Sequence, residues 1–176
     1  MKLLKYSYEK IKGKPAPYYY DYSLKKIIAK PIRKWIAQDI APNCVSNNVR
    51  ILLYKLCGFK IGKNVFIGMK CYLDDMCYDQ VTIGNNVIIS YGVYLACHGK
   101  NQGHNPITVE DGAYVGMRAS LISKNRSEDE MSKGITIGKN AVVGACTLVN
   151  CDVPEGTTAV GVPCRIVKSN GKGEQL

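Results

Sequence analysis

The chain has two histidines, His98 and His104, and both fall within one short stretch, ACHGKNQGHNPI. Histidine gains and loses a proton near neutral pH, so a loop carrying it can take the proton from an acceptor hydroxyl. His98 is the candidate general base. His104 reads as a solvated loop histidine and is kept as an acceptor-side or orienting candidate. Asp74 and Asp75 follow Leu73 as Ala96 and Cys97 follow Leu95. If the two places are equivalent, either carboxylate can orient the imidazole and favour its cation; solvated turn residues are the alternative reading. Cys97 beside His98 invites a cysteine nucleophile, but adjacent side chains on extended backbone point to opposite sides, which argues against it.

The elements that must hold these residues appear when the chain is aligned with itself. Four segments match without gaps: KIGKNVFIGMKCYL from Lys60, TIGNNVIISYGVYL from Thr82, TVEDGAYVGMRASL from Thr108 and TIGKNAVVGACTLV from Thr136. In each an aliphatic residue recurs every six positions: Ile61, Ile67 and Leu73; Ile83, Ile89 and Leu95; Val109, Val115 and Leu121; Ile137, Val143 and Val149. A strict period of six carries residues around the whole surface of an α-helix, whereas short strands joined by turns satisfy it. One hexapeptide then makes one flat face, three make one coil of a triangular prism, and the aliphatic residues point inward. Gly62-Lys63-Asn64 and Gly84-Asn85-Asn86 supply turn residues that tolerate positive φ. Open edges at the first and last coils call for caps or partner subunits.

The period breaks three times. Leu73 to Ile83 is ten residues, Leu95 to Val109 fourteen and Leu121 to Ile137 sixteen, where six would continue the coil. All three breaks share one phase, so they leave from one corner of the prism, and the middle one carries both histidines. Loops on a rigid scaffold are a usual seat of chemistry.

The net charge of +10 is concentrated: residues 1–60 hold 13 Lys and Arg against Glu9, Asp21 and Asp39. Two helical stretches are expected there. Ser23 to Ala37 is basic, amphipathic and interrupted by Pro31; Ser46 to Cys57 starts on cap-type residues and stops before Gly58. A helical cap over the first coil is one reading of this segment, and a membrane-surface anchor that brings the protein to a lipid-linked sugar is the other. The opening residues lack the apolar core of a secretory signal, and no stretch is long and apolar enough to span a bilayer. The expected location is cytoplasmic, peripheral at the membrane if the anchor reading holds. The eight cysteines read as reduced thiols, with no C-x-x-C spacing. No metal and no nucleic acid are expected.

The I-G-x-N-V hexads, VYLACHGK ahead of PITVEDGAYVG, and the ending DVPEGTTAVGVPCRIVK together resemble the hexapeptide-repeat acyltransferases, the family of galactoside, maltose and polysaccharide O-acetyltransferases. The resemblance covers roughly residues 50 to 168. It implies an all-β fold, a left-handed parallel β-helix of about four coils with an N-terminal helical segment. Three parts are expected: a basic helical cap (1–59), the β-helix (60–153) and a tail completing a CoA site (154–176). It further implies a homotrimer with sites between neighbouring prisms, acetyl-CoA as cosubstrate, and the catalytic histidine at His98. Family members often follow that histidine with Asp, where this chain has Gly99, so Asp74 or Asp75 is the expected substitute. Contacts to acetyl-CoA carry over by position to Gly116, Met117, Gly144, Ala145, Arg165 and Lys168. In galactoside-type enzymes an acceptor-binding Asn stands where this chain has Gly68, so acceptor recognition must differ.

The function expected is acetyl transfer from acetyl-CoA to a sugar or glycan hydroxyl. Alternatives are a non-sugar or amine acceptor, or a non-enzymatic β-helix serving as scaffold or membrane-surface module. A metal-dependent hydratase on the same fold usually needs three metal-binding histidines, which two in one loop do not provide.

Overall fold

The computed structural model describes residues 2–16, 24–98, 104–123 and 134–167. They fall into two units, residues 1–35 and 36–176. The first contains α1 (Lys2–Lys12) and α2 (Leu24–Trp35). Helix α1 was not among the expected stretches. Nor does Pro31 interrupt α2, which runs through it. A proline removes one main-chain donor, and a single such loss need not end a helix.

The second unit holds the coils. Its hexads fold into three parallel sheets, one per face. The first face stacks β1 (Lys60–Ile61), β4 (Val81–Ile83), β7 (Ile107–Val109) and β10 (Ile135–Ile137). The third stacks β3 (Tyr72–Leu73), β6 (Tyr94–Ala96), β9 (Ser120–Ile122) and β12 (Leu148–Val149). The second face is taller: β2 (Phe66–Ile67), β5 (Ile88–Ile89), β8 (Tyr114–Val115), β11 (Val142–Val143) and β13 (Thr158–Val160) run parallel, and β14 (Arg165–Val167) folds back antiparallel onto β13.

Register follows the repeat. Ile61 pairs with Ile83 and Ile83 with Val109; Ile67 pairs with Ile89, and Leu73 with Leu95. Eleven of the twelve period-six aliphatics are buried, with Ile61 partly so, and they form one continuous core. A partial fifth coil follows the fourth, for Val153 bridges to Ile137 and β13 pairs with β11.

The expected turns supply the positive φ through their asparagines rather than their leading glycines. Asn64, Asn86 and Asn140 carry the positive φ, at 52°, 55° and 53°. Gly62 heads its turn for want of space, because a Cβ there would stand 2.5 Å from the carbonyl oxygen of Gly84 on the coil above.

Below the first coil lies α3 (Asn47–Leu56), preceded by a π-helical turn, Ile36–Ile40. Three side chains of α3 satisfy the open edge that a first coil leaves. The Asn47 amide donates to the Val65 carbonyl and accepts from the Ile67 N–H, both at 3.0 Å, as a neighbouring strand would. Arg50, fully buried, donates from Nε to the Ile67 carbonyl at 2.6 Å and from Nη1 to that of Cys44. The Tyr54 hydroxyl donates to the Cys71 carbonyl at 3.2 Å.

Candidate active site

All three breaks leave the third face and re-enter at the first, so their roots stack at one corner: Asp74 and Gln80 below, Cys97 and Pro106 in the middle, Ser123 and Gly134 above. The lowest root turns at once into a 3-10 turn, Asp75–Gln80, and Asp74 is its N-cap, accepting the Met76 N–H on Oδ1 at 3.1 Å. That leaves Oδ2 pointing up the corner. There it accepts three N–H groups from the coil above: Cys97 N at 2.9 Å, His98 N at 3.2 Å and His98 Nδ1 at 2.5 Å. Asp74 is fully buried, while the His98 side chain is 36% exposed.

This geometry selects a tautomer. With Nδ1–H donating to a carboxylate, Nε2 carries the lone pair and is the ring nitrogen that can accept a proton. Asp75 does something else: it accepts from Gln38 Nε2 at 3.2 Å, and the same amide donates to the Leu73 carbonyl at 2.9 Å. The carboxylate pair is thus split, Asp74 to the imidazole and Asp75 to the π-helical turn. Nothing in the sequence singled out Gln38, whose contacts lie across 35 and 37 residues.

His104 is exposed and lies opposite His98 in an antiparallel backbone bridge, and the Asn105 N–H donates to the Cys97 carbonyl at 2.8 Å. These two contacts close the root of the middle loop. Cys97 is fully buried in the core, whereas its neighbour His98 is partly exposed. Burial pushes its thiol up, and the nearby Asp74 carboxylate adds to the shift. Such a thiol keeps its proton at neutral pH and is no nucleophile.

The residues nominated for acetyl-CoA lie at another corner, between the second and third faces. Gly116 and Met117 follow β8, and Gly144 and Ala145 follow β11 one coil higher. Stacking forces the lower glycine, since a Cβ on Gly116 would stand 2.6 Å from the Ala145 nitrogen. Met117 and Ala145 are exposed, and among the described residues neither N–H donates to the chain. Arg165 is exposed on β14. Lys168 lies outside the described residues. No group of three or more His, Cys, Asp or Glu among the described residues stands close enough to hold a metal ion.

Gly68 heads the first turn at this same corner, and a Cβ there would stand 2.5 Å from the Tyr91 nitrogen. A side chain there would require that backbone to shift, so in this chain the position has no side chain with which to hold an acceptor.

A family profile described as hexapeptide repeat of succinyl-transferase matches residues 59–97 and 106–151, the coils on either side of the histidine loop. The chain belongs to the hexapeptide-repeat acetyltransferase family. A serine acetyltransferase from Bacillus licheniformis is 38% identical over 117 residues, covering 65% of this chain and 48% of that protein. The galactoside O-acetyltransferase of Escherichia coli is 32% identical over 127 residues, covering 62% of this chain and 56% of that protein. This hexapeptide-repeat protein therefore spans about half the length of the curated relatives it matches. A hexapeptide-repeat acetyltransferase from Vibrio cholerae, solved in complex with acetyl coenzyme A, superposes with a TM-score of 0.65 at 21% identity, over 85% of this chain and 91% of that one. The shared fold is the left-handed parallel β-helix.

Proposed function

We propose that this hexapeptide-repeat protein is an acetyl-CoA-dependent O-acetyltransferase in which His98, oriented by Asp74, is the general base. The observation that carries the reading is the 2.5 Å contact between His98 Nδ1 and the buried Asp74 carboxylate, which leaves Nε2 as proton acceptor on a half-exposed ring. Acetyl-CoA supplies the acyl group as a thioester. His98 takes the proton of the acceptor hydroxyl as its oxygen attacks that carbonyl, and Asp74 stabilises the imidazolium that forms. The proton then passes to the departing sulfur. The outward N–H of Met117 offers a donor for charge gathering on the carbonyl oxygen. Arg165 and Lys168 are assigned to the phosphates of the nucleotide end.

The acceptor proposed is a sugar or glycan hydroxyl. Curated relatives carry the names of galactoside and of serine acetyltransferases, so serine is the acceptor to test against it. Two corners of one prism are too far apart to serve one acetyl group, so the proposed assembly is a homotrimer in which one copy supplies His98 and its neighbour the Met117 and Ala145 turns. Contact of the basic N-terminal segment with a membrane surface is part of the same reading, since α2 exposes Ile28, Ile32 and Trp35 at helical spacing between lysines.

The test is transfer of radiolabelled acetyl groups from acetyl-CoA to sugars and to serine. His98→Ala should lower turnover by about 10²–10⁴-fold or more with acetyl-CoA affinity nearly unchanged. Equal turnover with and without the imidazole ends the proposal.

A further inference from the structure

Helix α3 has two faces with opposite tasks. Asn47, Arg50 and Tyr54 look up and bond to the first coil. On the reverse side Val49, Leu52 and Leu56 recur at helical spacing and continue the stripe begun by Val45. They are 47%, 56%, 72% and 85% exposed respectively. Four exposed aliphatic residues, three of them on a helix whose other side already has its partners and the fourth just before it, is an arrangement that water does not favour. The exposed charges around it are mainly positive. Lys55 on α3, Lys60 on β1, and Lys63 and Lys70 in the turns of the first coil are all exposed. Against these four lysines stand two exposed carboxylates, Asp39 and, in the lowest loop, Asp79.

We propose that this base of the coil, the outer stripe of α3 with its surrounding lysines, is a docking surface for an anionic lipid bilayer. An apolar stripe entering the acyl boundary while lysines meet the headgroups is the chemistry of an interfacial helix. The cationic rim sets the occupant: anionic phospholipid complements it, whereas a second copy of the same basic base repels it. The stripe is made of residues of the coil unit. Docking by the base stands the prism on the membrane and puts His98, in the second coil, about 5 Å above the level of the first. On the acetyl-transfer reading, that height suits an acceptor sugar carried on a lipid; the docking itself does not depend on that reading.

The test is sedimentation of the full-length chain with vesicles of phosphatidylcholine alone or of phosphatidylcholine with phosphatidylglycerol. The wild-type chain binds the anionic vesicles and not the neutral ones, and salt releases it. The double variant Leu52→Glu, Leu56→Glu weakens binding by about tenfold or more. Lys60→Glu and Lys63→Glu weaken it by about fivefold each. Val45→Glu, a change outside the helix, weakens binding in the same direction and serves if the double variant fails to fold. Acetyl transfer to a soluble acceptor is unchanged in these variants, which separates failure of docking from failure of the catalytic reading. Three results overturn the proposal: wild-type chain that ignores anionic vesicles; Leu52, Leu56 and Val45 variants that bind as well as wild type, with loss confined to Ile28→Glu, Ile32→Glu in α2; or stripe variants whose only change is a smaller oligomer, which makes the face a contact between copies.

Discussion

Asp74 and Asp75 are adjacent and chemically identical, yet one holds an imidazole and the other a glutamine. The sequence placed both beneath the histidine loop and had no means of choosing, because the choice depends on which of them caps the 3-10 turn and so turns its oxygens up the corner. Oδ2 of Asp74 satisfies two main-chain N–H groups besides Nδ1, so its removal has two separable effects. Asp74→Ala should strip acceptors from the buried N–H groups and destabilise the fold by roughly 1–3 kcal/mol for each one left unpaired. Asp74→Asn keeps one oxygen and the shape; it should melt closer to wild type while turnover still falls by about 10²–10⁴-fold, as thermal denaturation and acetyl-transfer assays will show. The neighbouring thiols give a pH prediction. Burial pushes Cys77 up to about 12 from the ordinary 9.0, and raises Cys97 as well. Their un-ionised forms suit the folded state, so the stability they contribute is complete below the ordinary thiol value and is lost as pH rises through the raised folded values. Denaturant midpoints should fall across that alkaline window. Cys77→Ala, Cys97→Ala should flatten the decline.

At the scale of elements, the six-residue period was legible because each inward side chain serves one stack, and the register pairs the predicted residues coil by coil. The helices were less so. Ser46 to Cys57 matched α3 within its caps, but α1 is a lysine-rich stretch with no flanking signal, and Pro31 is absorbed inside α2. The glycines were half legible: their position in turns was plain, but the reason for some was not. Gly116 has an ordinary negative φ and is glycine only because the next coil passes 2.6 Å from where a Cβ would stand. Gly116→Ala should therefore cost about 1–3 kcal/mol by forcing the third and fourth coils apart. A melting temperature equal to wild type would show that the coils can slide to make room.

For the whole molecule the question is which surfaces of the prism meet. His98 stands where the third face ends, and the Met117 and Ala145 turns stand where it begins. A face of three to four residues spans about 10–13 Å, too far for both ends to touch one acetyl group. Between those ends the third face turns outward Tyr72 and Tyr94, stacked at 4.3 Å, then Ser120 and Leu148. In the proposed homotrimer that face is the side presented to neighbours, since each of its edges then meets the opposite edge of another copy. The repeat alone could show that the loops share a corner; the second half of the proposed site, one face away, came only from the family resemblance, because the turn glycines look alike at both corners. Subunit mixing decides the matter. His98→Ala and Ala145→Trp should each inactivate a homogeneous trimer, the first by removing the base and the second by filling the exposed turn. When the two chains are co-expressed in equal amounts and assemble at random, three in four trimers are mixed, and each has one junction where an intact His98 meets an intact turn. Activity should return to about a quarter of wild type. If each chain instead builds its whole site alone, every site carries one lesion or the other, and mixing restores nothing.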